Sequence, residues 1–415
     1  MIDAVRRIEA CRLCDARDMS LFIDFGSVPL GNNLRENRDE ALAAPRYPLD
    51  LMRCGACGHF QLGHAVAPEQ LYATNYTYLS GIGPSFVRHF AEYATWAVAR
   101  CGLEPGAFVV DVGSNDGTCL KAFQTSGMQV CGVDPASLAA GIANDNGVET
   151  LNTFFDADAV SQIIARHGQA DFVTSHNVLA HVDDLAATFR DIHALIKDGG
   201  WFAFEVGYFR EVLRTGCFDT TYHEHLDYHH AAPLVRHLTN LGFDVEEMSV
   251  NAVQGGSIRF LLRKTGTGGI SPQATAFLAD ERTSVLYDDE FLAGWKQMIA
   301  ETMATFRDAI RERTERGETV VAYGAPTKAV LLLQAAELDS GDVAFVLEDN
   351  AHKTGRFLPG SGIAIRPTAD LAASDARVVV IFAWNFADDI IAKLEQLYTG
   401  LEIIVPLPQL RTIRI

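Results

Sequence analysis

Between Thr221 and His230 the chain reads TYHEHLDYHH, four histidines, two tyrosines and two acids in ten positions. Such a set could hold a metal through imidazole nitrogens, move protons near neutral pH, or form a polar turn. Metal is the weaker reading, because the HExxH helix spacing is missing. His229 and His230 read as ordinary helix-start residues. If Thr221–Leu226 is extended, alternate side chains share a face. Tyr222 and Glu224 then point one way, His223 and His225 the other. A local turn or bulge is needed before Tyr222, Glu224 and His225 can meet in one pocket.

A metal finds better ligands upstream. Cys11-x-x-Cys14 and Cys54-x-x-Cys57 are two knuckles, each able to grip half of a tetrahedral zinc. The gap between them is longer than in the usual zinc ribbon, so an inserted loop is expected. Four thiolates fill the coordination sphere, which makes the zinc structural rather than catalytic. His59 and His64 read as surplus to the metal.

A cofactor address follows at VVDVGSNDGT (Val109–Thr118), a buried strand, a turn and a helix start. The turn carries Gly113, Ser114, Asn115, Asp116 and Gly117. It lacks the GxGxxG spacing that admits a pyrophosphate, so a nicotinamide cofactor is disfavoured. S-adenosylmethionine needs no such room. The glycines let the backbone approach it, and the nearby acids, Asp111 among them, suit its positive charges. Asp134 ends the next strand, placed to take ribose hydroxyls. SHNVLAHV puts Asn177 and His181 at the carboxyl edge of the same sheet, where open α/β sheets bind ligands. A later strand–turn–helix, Tyr323-Gly324-Ala325-Pro326-Thr327-Lys328, could bind a phosphate through backbone amides and Lys328. Lys353 and Arg356 add positive charge nearby, or form a solvated loop. Trp384-Asn385 is a weaker candidate for the same cleft.

These residues need a frame. GAFVVDVG, MQVCGVD, ADFVTSHNVL and GGWFAFEV read as buried parallel strands. After them Ile270–Gly317 reads as a helical connector, and a second α/β alternation begins at ETVVAYG. The expected fold class is α/β. It has a small N-terminal zinc-binding module (residues 1–85), a central doubly wound sheet (86–268), and a helical connector plus C-terminal Rossmann-like domain (269–415). The chain of 415 residues has a formal net charge of −19, which disfavours nucleic-acid binding. No signal-like or membrane-spanning apolar run is seen, so a cytoplasmic protein with reduced cysteines is expected.

The stretches FGSVPLGNNL, YPLDLMRCGACGHFQL, YTYLSG, DVGSNDGT, FDTTYHEHLDYH, YGAPTKA and EDNAHKTGRFLPG occur in one order over nearly the whole chain. Together they resemble the sugar C-methyltransferases that act on nucleotide-linked 4-keto-deoxysugars. Gly31 and Pro326 depart from that pattern without removing a candidate catalytic group. The resemblance implies a zinc module, an S-adenosylmethionine domain and a C-terminal domain that binds a nucleotide-diphosphate sugar. It places Tyr76, His181, Tyr222, Glu224 and His225 around the sugar, with His225 as base. Tyr78, Tyr323, Lys328, Lys353 and Arg356 are expected to bind the substrate. The implied reaction removes a proton next to the ketone, at carbon 3 by the resemblance, and methylates the enolate. The rival functions are O- or N-methylation of a small metabolite, and nucleotide-sugar binding without chemistry.

Overall fold

The computed structural model describes residues 5–67, 70–71 and 79–415. The amino-terminal part contributes β1 (Val5–Arg7), β2 (Met19–Pro29), β3 (Arg46–Cys54), β4 (Phe60–Leu62) and β5 (His64–Val66). The central part adds β6 (Phe108–Val112), β7 (Gln129–Val133), β8 (Thr150–Leu151), β9 (Ala170–His176) and β10 (Ile196–Gly207). It continues with β11 (Asp227–Tyr228), β12 (Phe243–Asn251) and β13 (Ser257–Lys264). The last part contributes β14 (Val320–Tyr323), β15 (Phe345–Glu348), β16 (Ala364–Pro367), β17 (Val378–Ile381), β18 (Glu402–Val405) and β19 (Arg411–Arg414).

The central sheet runs β12-β13-β10-β9-β6-β7-β8. Its strands from β10 to β8 are parallel, while β13 lies antiparallel between β10 and β12. Strand β6 is buried at every residue, which is why it reads as an unbroken apolar run. The chain leaves β6 in one direction and returns on its other side as β9. The switch point between them faces the turn at Gly113–Gly117 and the segment Asn177–His181. The C-terminal sheet repeats this plan in the order β16-β15-β14-β17-β18-β19, with β19 antiparallel. Its switch point lies between β14 and β17.

The amino-terminal sheet holds the main topological surprise. Its order is β11-β4-β3-β2. The edge strand β11 comes from the histidine-rich stretch, with Asp227 opposite Gln61 and Tyr228 opposite Phe60. The zinc module is thus completed by the central part of the chain. Aromatic packing adds to the seam: Phe22 stacks on Trp295 at 5.6 Å, and Phe60 meets Phe209 at 4.7 Å. One apolar core runs through all three parts, from Ile8 to Leu407.

The expected connector is two helices, Pro272–Arg282 and Asp289–Glu315. Ser284 and Asp288 accept backbone N–H groups at the break, so local capping competes with a continuous helix. Among the described residues, no helix is long and apolar enough to cross a membrane.

Candidate active site

The four cysteines of the knuckles converge. Cys11 Sγ lies 3.7 Å from Cys57 Sγ, and Cys14 Sγ lies 3.7 Å from Cys54 Sγ. All four sulfurs lie within 4.8 Å of one another. A tetrahedron of thiolates at about 2.3 Å from zinc has edges of roughly 3.8 Å, so the set fits that ion. Close contacts cross between knuckles, as expected when each turn supplies half of the sphere. His59 and His64 stand apart from the cluster and bind Asp227 (2.8 Å) and Asp50 (2.7 Å).

The turn after β6 is held open by unusual backbone. Gly113 (φ 75°), Asn115 (φ 51°) and Gly117 (φ 79°) all lie in the left-handed region. A Cβ on Gly113 would stand 2.2 Å from Val178 Cγ2, so the turn packs directly on the segment after β9. Asp134 Oδ2 accepts from the Asn115 amide at 2.9 Å, and its Oδ1 from the Ala136 amide at 2.8 Å. Burial raises the carboxyls of Asp134 and, more strongly, Asp111 above the usual range. Asp111 Oδ1 and Ser114 Oγ are buried and lack a hydrogen-bond partner among the described residues. Orphan polar atoms at a sheet switch point want a polar ligand. The residues therefore fit S-adenosylmethionine. Asn115 and Asp116 also accept the amides of Ser80 and Gly81, which folds Ser80–Ile82 onto the turn. Asn177 (φ 56°) sits across the switch point, its amide on the Glu205 carbonyl at 2.8 Å.

The histidine stretch is not extended. The His225 amide donates to the Tyr222 carbonyl at 2.9 Å, closing a tight turn. Residues at the two ends of such a turn face each other. The Tyr222 hydroxyl lies 2.6 Å from His225 Nε2, and His225 Nδ1 lies 3.0 Å from the Thr220 carbonyl. A carbonyl only accepts, so Nδ1 carries the proton in the neutral ring. Nε2 then presents its lone pair, and the tyrosine hydroxyl donates to it. The His181 ring is 4.7 Å from that of His225 at 72°. Burial pushes His181 down to about 4. Burial, with His181 adding to it, holds His225 well below the ordinary histidine value.

Glu224 takes a different direction. Asn32 Nδ2 donates to its carboxyl at 3.2 Å, and Lys353 acts on it electrostatically. Burial pushes Glu224 up to about 8. It shares a small cleft with Leu30, Asn33, Gln70 and Leu71. Tyr222, His225 and His181 thus meet, while Glu224 joins Asn32 and Lys353 beside them. Tyr76 and Tyr78 lie outside the described residues. Asn32 carries no spacing signal, because it stands 192 residues before Glu224. His223 donates from Nε2 to the Tyr47 carbonyl at 3.2 Å. His230 caps the helix Ala231–Asn240 by position, but it is also buried between Gly58 and Glu281.

The C-terminal turn is more closed. The Gly324 amide donates to the Leu347 carbonyl (2.8 Å) and the Ala325 amide to Glu348 Oε2 (2.9 Å). Lys328 is 8% exposed. Its Nζ donates to Asn385 Oδ1 at 2.8 Å and lies 3.5 Å from the Trp384 ring centre. Trp384 in turn donates to Asp219 at 2.7 Å, just before the histidine stretch. Tyr323 donates to Asp349 at 2.7 Å, Lys353 to the Ala325 carbonyl at 3.0 Å, and Arg356 lies 3.7 Å from Glu36.

Three family models match the chain in series: a zinc binding domain over residues 11–72, a methyltransferase domain over 86–248, and a C-methyltransferase C-terminal domain over 252–408. The C-methyltransferase NovU of Streptomyces niveus is 34% identical over 415 residues, covering 100% of this chain and 99% of that one. The ubiquinone biosynthesis O-methyltransferase of Bordetella pertussis is 34% identical over 111 residues, 26% of this chain and 46% of that one. Among solved structures, magnesium protoporphyrin IX methyltransferase from Synechocystis with bound S-adenosylmethionine gives a TM-score of 0.34 at 17% identity, over 43% of this chain and 79% of that one.

Proposed function

The chain belongs to the S-adenosylmethionine-dependent sugar C-methyltransferases, and from that premise we propose that it methylates the carbon next to the ketone of a nucleotide-linked 4-keto-deoxysugar. Carbon 3 is the position we assign. Bound S-adenosylmethionine supplies an electrophilic methyl group. The protein must turn the sugar carbon into a nucleophile and hold it in line with that methyl group.

His225 is the base in this reading. Its Nδ1–H is committed to the Thr220 carbonyl, so Nε2 is the nitrogen that can take a proton. The C–H bond beside the ketone breaks, its proton goes to Nε2, its electron pair forms a carbon–carbon double bond, and the carbonyl π pair moves onto the oxygen as an enolate. A depressed pKa keeps His225 unprotonated and ready. The enolate charge then stabilises the imidazolium beside it, offsetting the burial that opposed protonation. The Tyr222 hydroxyl lies 2.6 Å from Nε2, where it can turn to the developing oxyanion. His181, packed on His225, is neutral and adds a second group for positioning. Tyr76 and Tyr78 complete the sugar site in this proposal.

Glu224 holds the sugar on the other side, with Asn32 and Lys353. We assign the diphosphate to the C-terminal unit, with Lys353, Arg356 and Tyr323 toward it. The zinc cluster stabilises the module and supplies no group to the chemistry itself. The free thiols suit a reducing compartment, so we place the reaction in the cytoplasm.

The observation that carries the reading is the Tyr222–His225–His181 group at the edge of the S-adenosylmethionine sheet. The test incubates the protein with nucleotide 4-keto-6-deoxysugars in deuterated water. The wild type should gain a methyl by mass and exchange the proton next to the ketone. His225→Ala should lose turnover by about 1,000-fold and keep its cofactor affinity. Near wild-type turnover in that variant would remove His225 as the base.

A further inference from the structure

Arg12 lies inside the first cysteine knuckle, between Cys11 and Cys14, yet its side chain is only 4% exposed. It leaves the module. Its Nε donates to Asp227 Oδ2 at 3.1 Å. One terminal nitrogen donates to the carbonyls of Val182 and Asp183, both at 2.5 Å. Val182 follows His181, and Asp227 stands two residues after His225. A single planar guanidinium therefore ties together the two segments that carry the histidine pair. Arginine suits this work, because its donors are fixed in a fork rather than gathered at a point.

The second knuckle reaches the same carboxylate. His59, two residues after Cys57, lies 2.8 Å from Asp227 Oδ1. The Arg12 amide donates to Gln61 at 2.8 Å, and Gln61 pairs with Asp227 across the sheet. The two histidine segments also touch directly, since the Leu226 amide donates to the Ala180 carbonyl at 2.6 Å. Asp227 is fully buried, so it has no water to replace a lost partner.

We propose that Arg12 is a positioning residue for methyl transfer: it fixes the backbone that carries His181 and His225, so the cysteine cluster sets the geometry of the histidine pair. The inference rests on the reading of that pair as the proton-transfer site. It gives the zinc module a part in the reaction's geometry as well as in the fold.

The test compares R12Q and R12K with the wild-type holoenzyme. R12Q should keep full zinc content by metal analysis and S-adenosylmethionine affinity within about two-fold. Its kcat should fall by about 100-fold, with little change in KM for the sugar, as a displacement near 1 Å would produce. R12K keeps the charge without the fork and should recover part of the loss. In spectra of protein labelled with carbon-13 histidine, the His181 and His225 signals, assigned from H181N and H225N, should move in R12Q. The exposed His167 should not. Wild-type kcat in R12Q overturns the proposal whatever the spectra show. A fall in kcat with unmoved His181 and His225 signals overturns it too, because any general loss of stability could do that. Should R12Q fail to fold, zinc is chelated from the wild type: the same two signals should move, and unmoved signals after complete removal overturn the proposal. If H225A instead retains turnover, the base assignment falls while the R12Q shifts still stand, so the two failures are separable.

Discussion

Two turns in this molecule begin alike but have their polar groups met in different ways. Each follows a buried strand at a sheet switch point, the first at Gly113–Gly117 after β6, the second at Gly324–Lys328 after β14. In the first, the buried Asp111 Oδ1 and Ser114 Oγ have no hydrogen-bond partner among the described residues. In the second, Glu348 already caps the Ala325 amide, and Asn385 and Trp384 take Lys328. The lesson is that a strand–glycine–helix pattern marks a place where something polar must be met. Whether a ligand or the protein's own side chains meet it depends on residues far away in sequence.

The contrast breaks most visibly through the glycines. Gly113→Ala should weaken S-adenosylmethionine binding by more than about 100-fold and cost about 2–4 kcal/mol of stability, since its φ is 75° and the new Cβ meets Val178 at 2.2 Å. Gly324→Ala should cost similar stability, with φ 86° and a Cβ 2.7 Å from Ala383 Cβ. Calorimetry should nevertheless find its cofactor affinity within about three-fold of wild type. Equal losses of affinity would erase the distinction between the turns.

The lysine of the second turn gives the next effect. Burial brings Lys328 down to about 8 from 10.5. Between those values the unfolded chain holds a proton that the folded chain has released, so stability rises with pH across that window. The rise should total about 1–3 kcal/mol in denaturant titrations and vanish in K328M. KM for the nucleotide sugar should stay within about three-fold in K328M; a rise beyond about tenfold would move Lys328 to the diphosphate and make the two turns alike.

Glu224 meets the second turn through Lys353, which donates to the Ala325 carbonyl. With its carboxyl at about 8, Glu224 is protonated at neutral pH and ionises above it. The rate should therefore fall in alkali, by about tenfold at pH 9, and E224Q should flatten that limb. An unchanged alkaline limb in E224Q would exclude Glu224 as its source. The smallest effect is E348Q, which weakens the cap on Ala325 and should cost about 1 kcal/mol of stability, with cofactor affinity unmoved.

Much of the frame was legible for local reasons. Strands such as VVDV and VVVI are buried on both faces, so they stand out as apolar runs. The cysteine knuckles were legible because a metal fixes ligand spacing over two intervening residues. The helix break at Ser284 and Asp288 was readable from capping residues, but the apolar periodicity on either side hid it. The turn at Tyr222–His225 could not be read, because its centre is His223-Glu224, with no glycine, proline or asparagine to mark it. Nor could β11 be found. Two residues that pair with Gln61 and Phe60 leave no periodic signal, and the contact is made across two units. Asn32 with Glu224, and Arg12 with Asp227, were hidden for the same reason.

That borrowed strand has a consequence for synthesis on the ribosome. His59 and Asp227 are 168 residues apart. At roughly 5–20 residues per second, the nascent chain exposes its cysteines about 8–35 s before Asp227 emerges. Through that interval β4 has a bare edge that a neighbouring nascent chain could pair with. The event that finally covers the edge also brings His225 alongside His181, so completing the module and assembling the candidate catalytic pair are one folding step.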